Sequence, residues 1–158
     1  MKKVLTLLAL GSLMAVPVHA EISAKQKEVM DKLLVTYAEK AKAEGLEKKG
    51  VRGGAVAVAA ANKPFTVENG REFYLKRRSW QDTDYTCSGC HTEDPKKEGK
   101  HIDTKKPIKP LAPAVNPERF LDVQKVERNF TEHCMDLHER DCFAFEKGNF
   151  VAYMMSVK

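Results

Sequence analysis

The chain has 158 residues, of which 27 are Lys or Arg and 22 are Asp or Glu, so its formal net charge is +5 at pH 7. This length favours one compact domain over two. The lysines occur as scattered pairs without interleaved aromatic side chains, which indicates a solvated basic face and argues against nucleic-acid binding.

The first twenty residues have the layout of a cleavable secretion signal. Two lysines follow Met1, an apolar run extends from Val4 to Val18, and Ala20 precedes Glu21. The run is too short to span a bilayer comfortably, so we expect cleavage before Glu21 and no stable membrane insertion afterwards. The expected location is the periplasm, where each of the four cysteines needs a covalent fate.

The segment after the signal predicts an amphipathic helix from Ser23 to about Glu44, because its apolar residues recur at three- and four-residue spacing. Ser23 is its predicted N-cap, and Gly45 is expected to end it. The small residues Ala55 to Ala61 then form either a linker or a buried connector, and the sequence leaves both open.

Three further helical segments follow. The first begins near Pro64 and ends at about Arg78, with Gly70 beside aromatic residues as a predicted tight helix crossing. Asp122 is the predicted N-cap of the next, and the last extends from about Phe145 to Val157. Residues 80–114 are expected to be irregular because of their prolines. Since no segment alternates with period two, the predicted fold is all-α.

The irregular segment contains Cys87-Ser88-Gly89-Cys90-His91, which has the C-x-x-C-H spacing of a haem-attachment site. Two thiols on one turn reach the two vinyl groups of a porphyrin edge, and the histidine that follows binds the iron. The sequence therefore predicts one covalent haem c on Cys87 and Cys90, with His91 as the proximal iron ligand. The alternatives are a Cys87–Cys90 disulfide, which lacks a surrounding βαβ pattern, and a four-cysteine zinc site, which lacks a second short spacing.

A proximal histidine needs a hydrogen-bond acceptor for its other ring nitrogen. The proline-rich segment 107–113 lies at a suitable distance along the chain, and the carbonyl of Pro110 is the predicted acceptor. The alternative is that these prolines only stiffen a loop.

The sixth iron ligand separates electron carriers from gas-binding proteins. His133 is the preferred candidate because it lies in line with Val126 and Phe130 on the predicted third helix, and Asn129, one turn earlier, is the fallback. His138 and His101 are expected to be exposed. The full set of candidates after the motif is His101, Asn116, Asn129, His133, Met135, His138, Met154 and Met155.

Cys134 and Cys142 lie eight residues apart in an exported chain, which predicts a disulfide that closes a small loop. Such a bond would add about 2–3 kcal/mol of stability by the chain-entropy estimate. It would also hold the position of the neighbouring His133.

From about Phe65 onwards the chain resembles the SHP-type class I cytochromes c, named after the sphaeroides haem protein. The resemblance implies a class I cytochrome c fold, here preceded by an extra N-terminal amphipathic helix, a Cys134–Cys142 disulfide, and a distal ligand just before Cys134. Family members typically carry asparagine at that place, where this chain has His133. The matching blocks are Cys87-Ser88-Gly89-Cys90-His91-Thr92, Pro107-Ile108-Lys109-Pro110-Leu111-Ala112-Pro113, Asn116-Pro117-Glu118-Arg119-Phe120, Arg140-Asp141-Cys142 and Glu146-Lys147-Gly148.

The first hypothesis is therefore a non-enzymatic, periplasmic one-electron carrier with two histidine ligands and periplasmic redox partner proteins. The alternative is a haem protein that binds oxygen or nitric oxide and has a displaceable distal ligand; a third is a redox subunit of a larger oxidoreductase. The predicted organisation is a signal peptide at 1–20, an N-terminal helix and connector at 21–62, and a haem domain at 63–158.

Overall fold

The computed structural model describes residues 21–47, 62–80 and 83–158, and this part of the chain is mostly helical. The signal segment and the connector Ala55 to Ala61 lie outside the described residues. In chain order the elements are α1 (Ala24–Glu47), α2 (Val67–Leu75), β1 (Arg78–Trp80), β2 (Thr83–Tyr85), α3 (Cys87–His91), β3 (Gly99–Lys100), β4 (Pro107–Ile108), α4 (Val123–His138) and α5 (Ala144–Ser156).

The predicted all-α class is confirmed, with two small additions. β1 pairs with β2 and β3 pairs with β4, both antiparallel. Pairs of two or three residues are too short to show a period-two pattern in the sequence. β2, β3 and β4 lie in the segment predicted to be irregular, whereas β1 begins at Arg78, the predicted end of the second helix.

The ends of two helices differ from the prediction. α1 continues through Gly45 to Glu47. α2 begins at Val67 because the side chain of Thr66 caps it, accepting a hydrogen bond from the Asn69 backbone N–H. For α4, the predicted cap at Asp122 is confirmed.

The core is built around α5, which packs along both α1 and α2. The predicted tight crossing at Gly70 is confirmed, because a Cβ there would lie 2.0 Å from the Asn149 carbonyl oxygen and 2.6 Å from the Tyr153 Cβ. The side chain of Asn149 also accepts a 2.7 Å hydrogen bond from the Thr66 backbone N–H. The backbones of α2 and α5 are therefore in close contact at Gly70. This contact sets the position of the chain that follows α2.

Candidate haem site

The attachment motif forms the short helix α3, and its backbone is held from three sides. Thr86 caps it by accepting a 2.7 Å hydrogen bond from the Gly89 N–H. The buried Tyr74 of α2 donates its hydroxyl to the backbone carbonyls of His91 and Thr92. β3 touches the motif so closely that a Cβ on Gly99 would lie 2.0 Å from the Cys90 carbonyl oxygen. Only glycine permits this contact.

A cavity of about 1010 Å³ opens beside the motif. This volume is at the upper end of the range for small-molecule and cofactor sites. Cys87 and Cys90 are both half-buried in its wall and do not form a disulfide with each other. The wall brings together residues of α3 and α4, among them Cys87, Cys90, His91, Val126, Asn129, Phe130 and His133.

The rings of His91 and His133 face the same cavity, with centroids 6.4 Å apart and planes inclined by 70°. Metal–imidazole bonds are about 2.0–2.1 Å long, so two rings that bind one ion from opposite sides have centres about 6.3 Å apart. The observed separation matches this value. The residues present therefore fit a haem iron with two histidine ligands.

The imidazole of His91 is mostly buried, and burial lowers its pKa to about 4, with the positive charge of Arg119 as the next largest cause. At neutral pH it is thus in the unprotonated form that binds iron. Among the described residues its Nδ1 has no hydrogen-bond partner. The bond predicted to the Pro110 carbonyl is not formed in the structure, because that oxygen accepts from the side chains of Asn116 and Arg119 instead.

α4, which carries His133, is anchored to α1 and α5 by ring packing and by an ion pair. Phe130 packs edge-on against Tyr37 and Phe150, with ring centroids 6.2 and 5.3 Å away. The buried Lys147 pairs with Glu127 of α4 at 3.2 Å. Phe130 and His133 both line the cavity, but Phe130 is buried whereas His133 is exposed.

The predicted disulfide between Cys134 and Cys142 is present, and both cysteines are buried. It connects the last turns of α4 with the start of α5. The described residues contain no group of three His, Cys, Asp or Glu that could hold a metal ion. With two of its cysteines oxidised, the alternative four-cysteine zinc site is not formed.

The other candidates for the sixth ligand lie in different surroundings. His101 is exposed, as predicted, and its Nδ1 accepts hydrogen bonds from the backbone N–H groups of Asp103 and Thr104. Met154 is fully buried away from the cavity. The prediction for His138 was wrong: it is half-buried and stacks on Phe73 with ring centroids 5.5 Å apart.

Four further candidates for the sixth ligand differ in their contacts and in their exposure. Asn116 is buried and donates its amide to the Pro110 carbonyl at 2.7 Å. Met155 packs against the core, whereas Met135 is exposed at the cavity rim. Asn129 lines the cavity together with His133 and stays available as the fallback ligand.

Comparison with known proteins identifies the family. Residues 60–154 match a family model described as a domain of unknown function, DUF1924. Cytochrome c'' of Methylophilus methylotrophus is 41% identical over 92 residues, 58% of this chain and 64% of that protein. The cytochrome c-type protein SHP of Cereibacter sphaeroides is 35% identical over 97 residues, 61% of this chain and 74% of that protein. The chain belongs to the SHP-type class I cytochromes c.

The solved structures agree with this assignment. Oxidised cytochrome c'' from Methylophilus methylotrophus is similar with a TM-score of 0.66 and 32% identity, covering 83% of this chain and 96% of that one. Its solution structure, presented in terms of haem-ligand detachment, gives 0.62 at 33% identity, covering 80% and 92%. Oxidised SHP, described as an oxygen-binding cytochrome c, gives 0.60 at 28% identity, covering 85% and 96%.

The protein is thus a monohaem c-type cytochrome with covalently bound haem and iron. Its match spans just under two thirds of the length of cytochrome c'' and about three quarters of SHP. Among the described residues, no helix of this cytochrome is both long and apolar enough to cross a bilayer.

Sequence reasoning missed three residues that shape the site: Tyr74, Gln26 and Arg119. In the sequence Tyr74 is only one of the aromatic residues near Gly70, and nothing local marks its hydroxyl as the partner of the motif backbone. Arg119 lies within a block that resembles the family, which was the one available signal. Gln26 reaches residues nearly ninety positions further along the chain, and no pattern indicates that contact.

Proposed function

We propose that this cytochrome is a periplasmic electron carrier whose haem iron would be held by both His91 and His133. The observation that carries the proposal is the 6.4 Å separation of the two imidazole rings across the cavity beside Cys87 and Cys90. Its partners are redox proteins of the same compartment, and it performs no catalysis of its own.

The residues of the chain have separable parts in this function. The thiols of Cys87 and Cys90 form the thioethers, and Tyr74 holds the backbone of the turn that carries His91. Phe130 supplies an apolar wall that keeps water from one side of the cavity. The bound iron supplies a one-electron redox couple, and two imidazoles on a pinned backbone keep its geometry nearly constant between oxidation states.

Optical and electron paramagnetic resonance spectra of the wild type and His133→Ala test the ligand assignment. We expect a low-spin oxidised wild type, a high-spin variant, and return of the low-spin spectrum when imidazole is added to the variant. His138→Ala is the matched control, because it removes another histidine from the same helix and the same cavity wall. A His133→Ala protein that stays low-spin while Asn129→Ala becomes high-spin would transfer the role to Asn129.

A second function, binding of oxygen or nitric oxide, is favoured by one specific observation. His133 is exposed and makes no hydrogen bond or ion pair with any described residue. A ligand that no second residue orients is more easily displaced from a metal. Detachment of a haem ligand and oxygen binding are named for the two relatives described above.

Carbon monoxide added to the reduced protein separates the two functions. An electron carrier with both histidines bound resists the gas, so its reduced spectrum stays low-spin and unchanged. A gas-binding protein shows a high-spin reduced state and a saturable shift of the Soret band. A millimolar excess of carbon monoxide without spectral change would exclude the second function.

A further inference from the structure

The loop between β4 and α4 carries a half-buried cation at the cavity wall. Arg119 donates from Nε to the Pro110 carbonyl at 3.0 Å and from Nη2 to the Lys109 carbonyl at 2.9 Å, so its planar group is held by two bonds. Burial lowers the pKa of Arg119, and the charge of the neighbouring Glu118, which pairs with Lys109 at 3.0 Å, offsets this only in part. Among the described residues Arg119 forms no ion pair.

This charge acts on the same cavity that holds His91. Arg119 and His91 both line this cavity, and the guanidinium is half-buried in its wall. A cation held in the wall of a partly buried cavity disfavours the extra positive charge that oxidised iron would carry there. If a haem carboxylate lies near Arg119, removal of the cation would leave that negative charge unpaired. This would lower the reduction potential of the iron as well.

The position of Arg119 depends on the N-terminal helix. Gln26 of α1 is fully buried, and its amide nitrogen lies 3.2, 3.0 and 3.1 Å from the carbonyl oxygens of Pro113, Asn116 and Arg119. The hydroxyl of Ser23 donates to the Gln26 amide oxygen at 2.8 Å and thereby orients the amide. α1 thus fixes the backbone of the loop from which Arg119 extends.

We propose that the guanidinium of Arg119 raises the reduction potential of the haem iron, and that Gln26 is the positioning residue that holds it in place. The inference goes beyond electron transfer or gas binding, since the potential governs both. It rests on His91 as an iron ligand, as proposed above.

Spectroelectrochemical titration of Arg119→Gln tests the charge. At the effective dielectric of a partly buried site, loss of the cation shifts the ratio of oxidised to reduced protein about tenfold towards the oxidised form, equivalent to a fall of about 59 mV. Lys125→Gln is the matched control, because Lys125 is an exposed cation on the same cavity wall. Its smaller effect should vanish at high salt, whereas the effect of Arg119→Gln should persist.

Two further variants keep the test decisive if Arg119→Gln does not fold. Arg119→Lys retains the charge, so its ratio should stay within about threefold of the wild type, about 30 mV for one electron. Gln26→Met removes the amide donors at similar volume and should lower the potential by less than Arg119→Gln, with an unchanged low-spin spectrum. A purely structural role of Gln26 would lower the unfolding midpoint without moving the potential.

The outcomes separate this inference from the proposed function. A low-spin Arg119→Gln protein with the same potential as Lys125→Gln overturns the role of Arg119 and leaves the histidine ligands intact. A tenfold shift of Arg119→Lys towards the oxidised form would show that the charge at this position is not the cause of the raised potential. A wild type that is high-spin when oxidised contradicts the ligand proposal instead, and the Arg119 shift then reports on a haem with one histidine ligand.

Discussion

Removal of the Cys134–Cys142 disulfide should destabilise the protein and release the end of the helix that carries His133. The bond joins residues eight positions apart, immediately after His133. For a closed loop of about nine residues, the loss of chain entropy in the unfolded state corresponds to about 2.6 kcal/mol at 25 °C. We therefore expect the Cys134→Ala/Cys142→Ala double variant to lose about this amount of unfolding free energy.

Urea unfolding followed by far-ultraviolet circular dichroism measures the loss. With a urea dependence of about 1–3 kcal/mol per molar, the midpoint should fall by about 1–2.5 M. Met135→Ala is a suitable control, because Met135 lies within the same loop and is 49% exposed. The double substitution is preferred to a single one, since one remaining thiol could bind iron or form dimers.

A loss below about 0.5 kcal/mol with an unchanged urea dependence would refute the reasoning. In that case the loop would be equally restricted in the unfolded chain without the bond. The optical spectrum of the double variant provides a second measurement, the high-spin fraction of the haem iron. Because His133 adjoins Cys134, a larger high-spin fraction than in Met135→Ala is expected when the loop is opened.

Three other substitutions test the scaffold. Gly70→Ala should cost about 3 kcal/mol, since its Cβ would lie 2.0 Å from a carbonyl oxygen of α5, and urea unfolding measures the loss. Burial raises the pKa of Glu146, but hydrogen bonds and the charge of Arg140 outweigh this and hold it below 4.5. The stability from this ion pair is therefore present above pH 4.5 and lost as the pH falls further, and thermal midpoints of Glu146→Gln should depend less on pH there than those of the wild type. Tyr74→Phe should cost about 1 kcal/mol in thermal unfolding, because the carbonyl of Thr92 loses its donor.

For each of these three predictions, one result would contradict the stated physical reason. Asn69→Ala, an exposed change in the same helix as Gly70, should be nearly neutral, and equal losses in both would mean that the helix crossing is not responsible. A Glu146→Gln protein with the acid dependence of the wild type would remove the Arg140 pair as its source. Unchanged unfolding in Tyr74→Phe would show that water replaces the hydroxyl.

The parts of the site that were predictable are those encoded within a few residues of one another. The attachment motif is a local spacing, and His133 follows Phe130 at helical spacing, so both could be placed on the haem cavity before the fold was known. The cysteine pair was predictable because both cysteines had to be oxidised in the expected compartment.

The parts that failed depend on contacts between distant segments. His138 was expected in solvent because its neighbours along the chain are charged, yet packing of α4 near α2 stacks it on Phe73. The Pro110 carbonyl was expected to accept from His91, but Arg119 and Asn116, later in the same loop, bond to it instead. A local sequence pattern does not show which of several possible donors lies within hydrogen-bond distance of a carbonyl oxygen in the folded chain.

The helices are buried unevenly, and His133 lies on the less buried one. Eight residues of α5 are buried, among them Gly148, which packs on Phe65, whereas α4 buries only Phe130 and Cys134. Sparse burial gives a low free energy of local opening, so amide hydrogens of α4 should exchange faster than those of α5. A bond from His133 to iron would add its energy to α4 alone, so by linkage the free energy of local opening of this helix would be higher with that bond than without it.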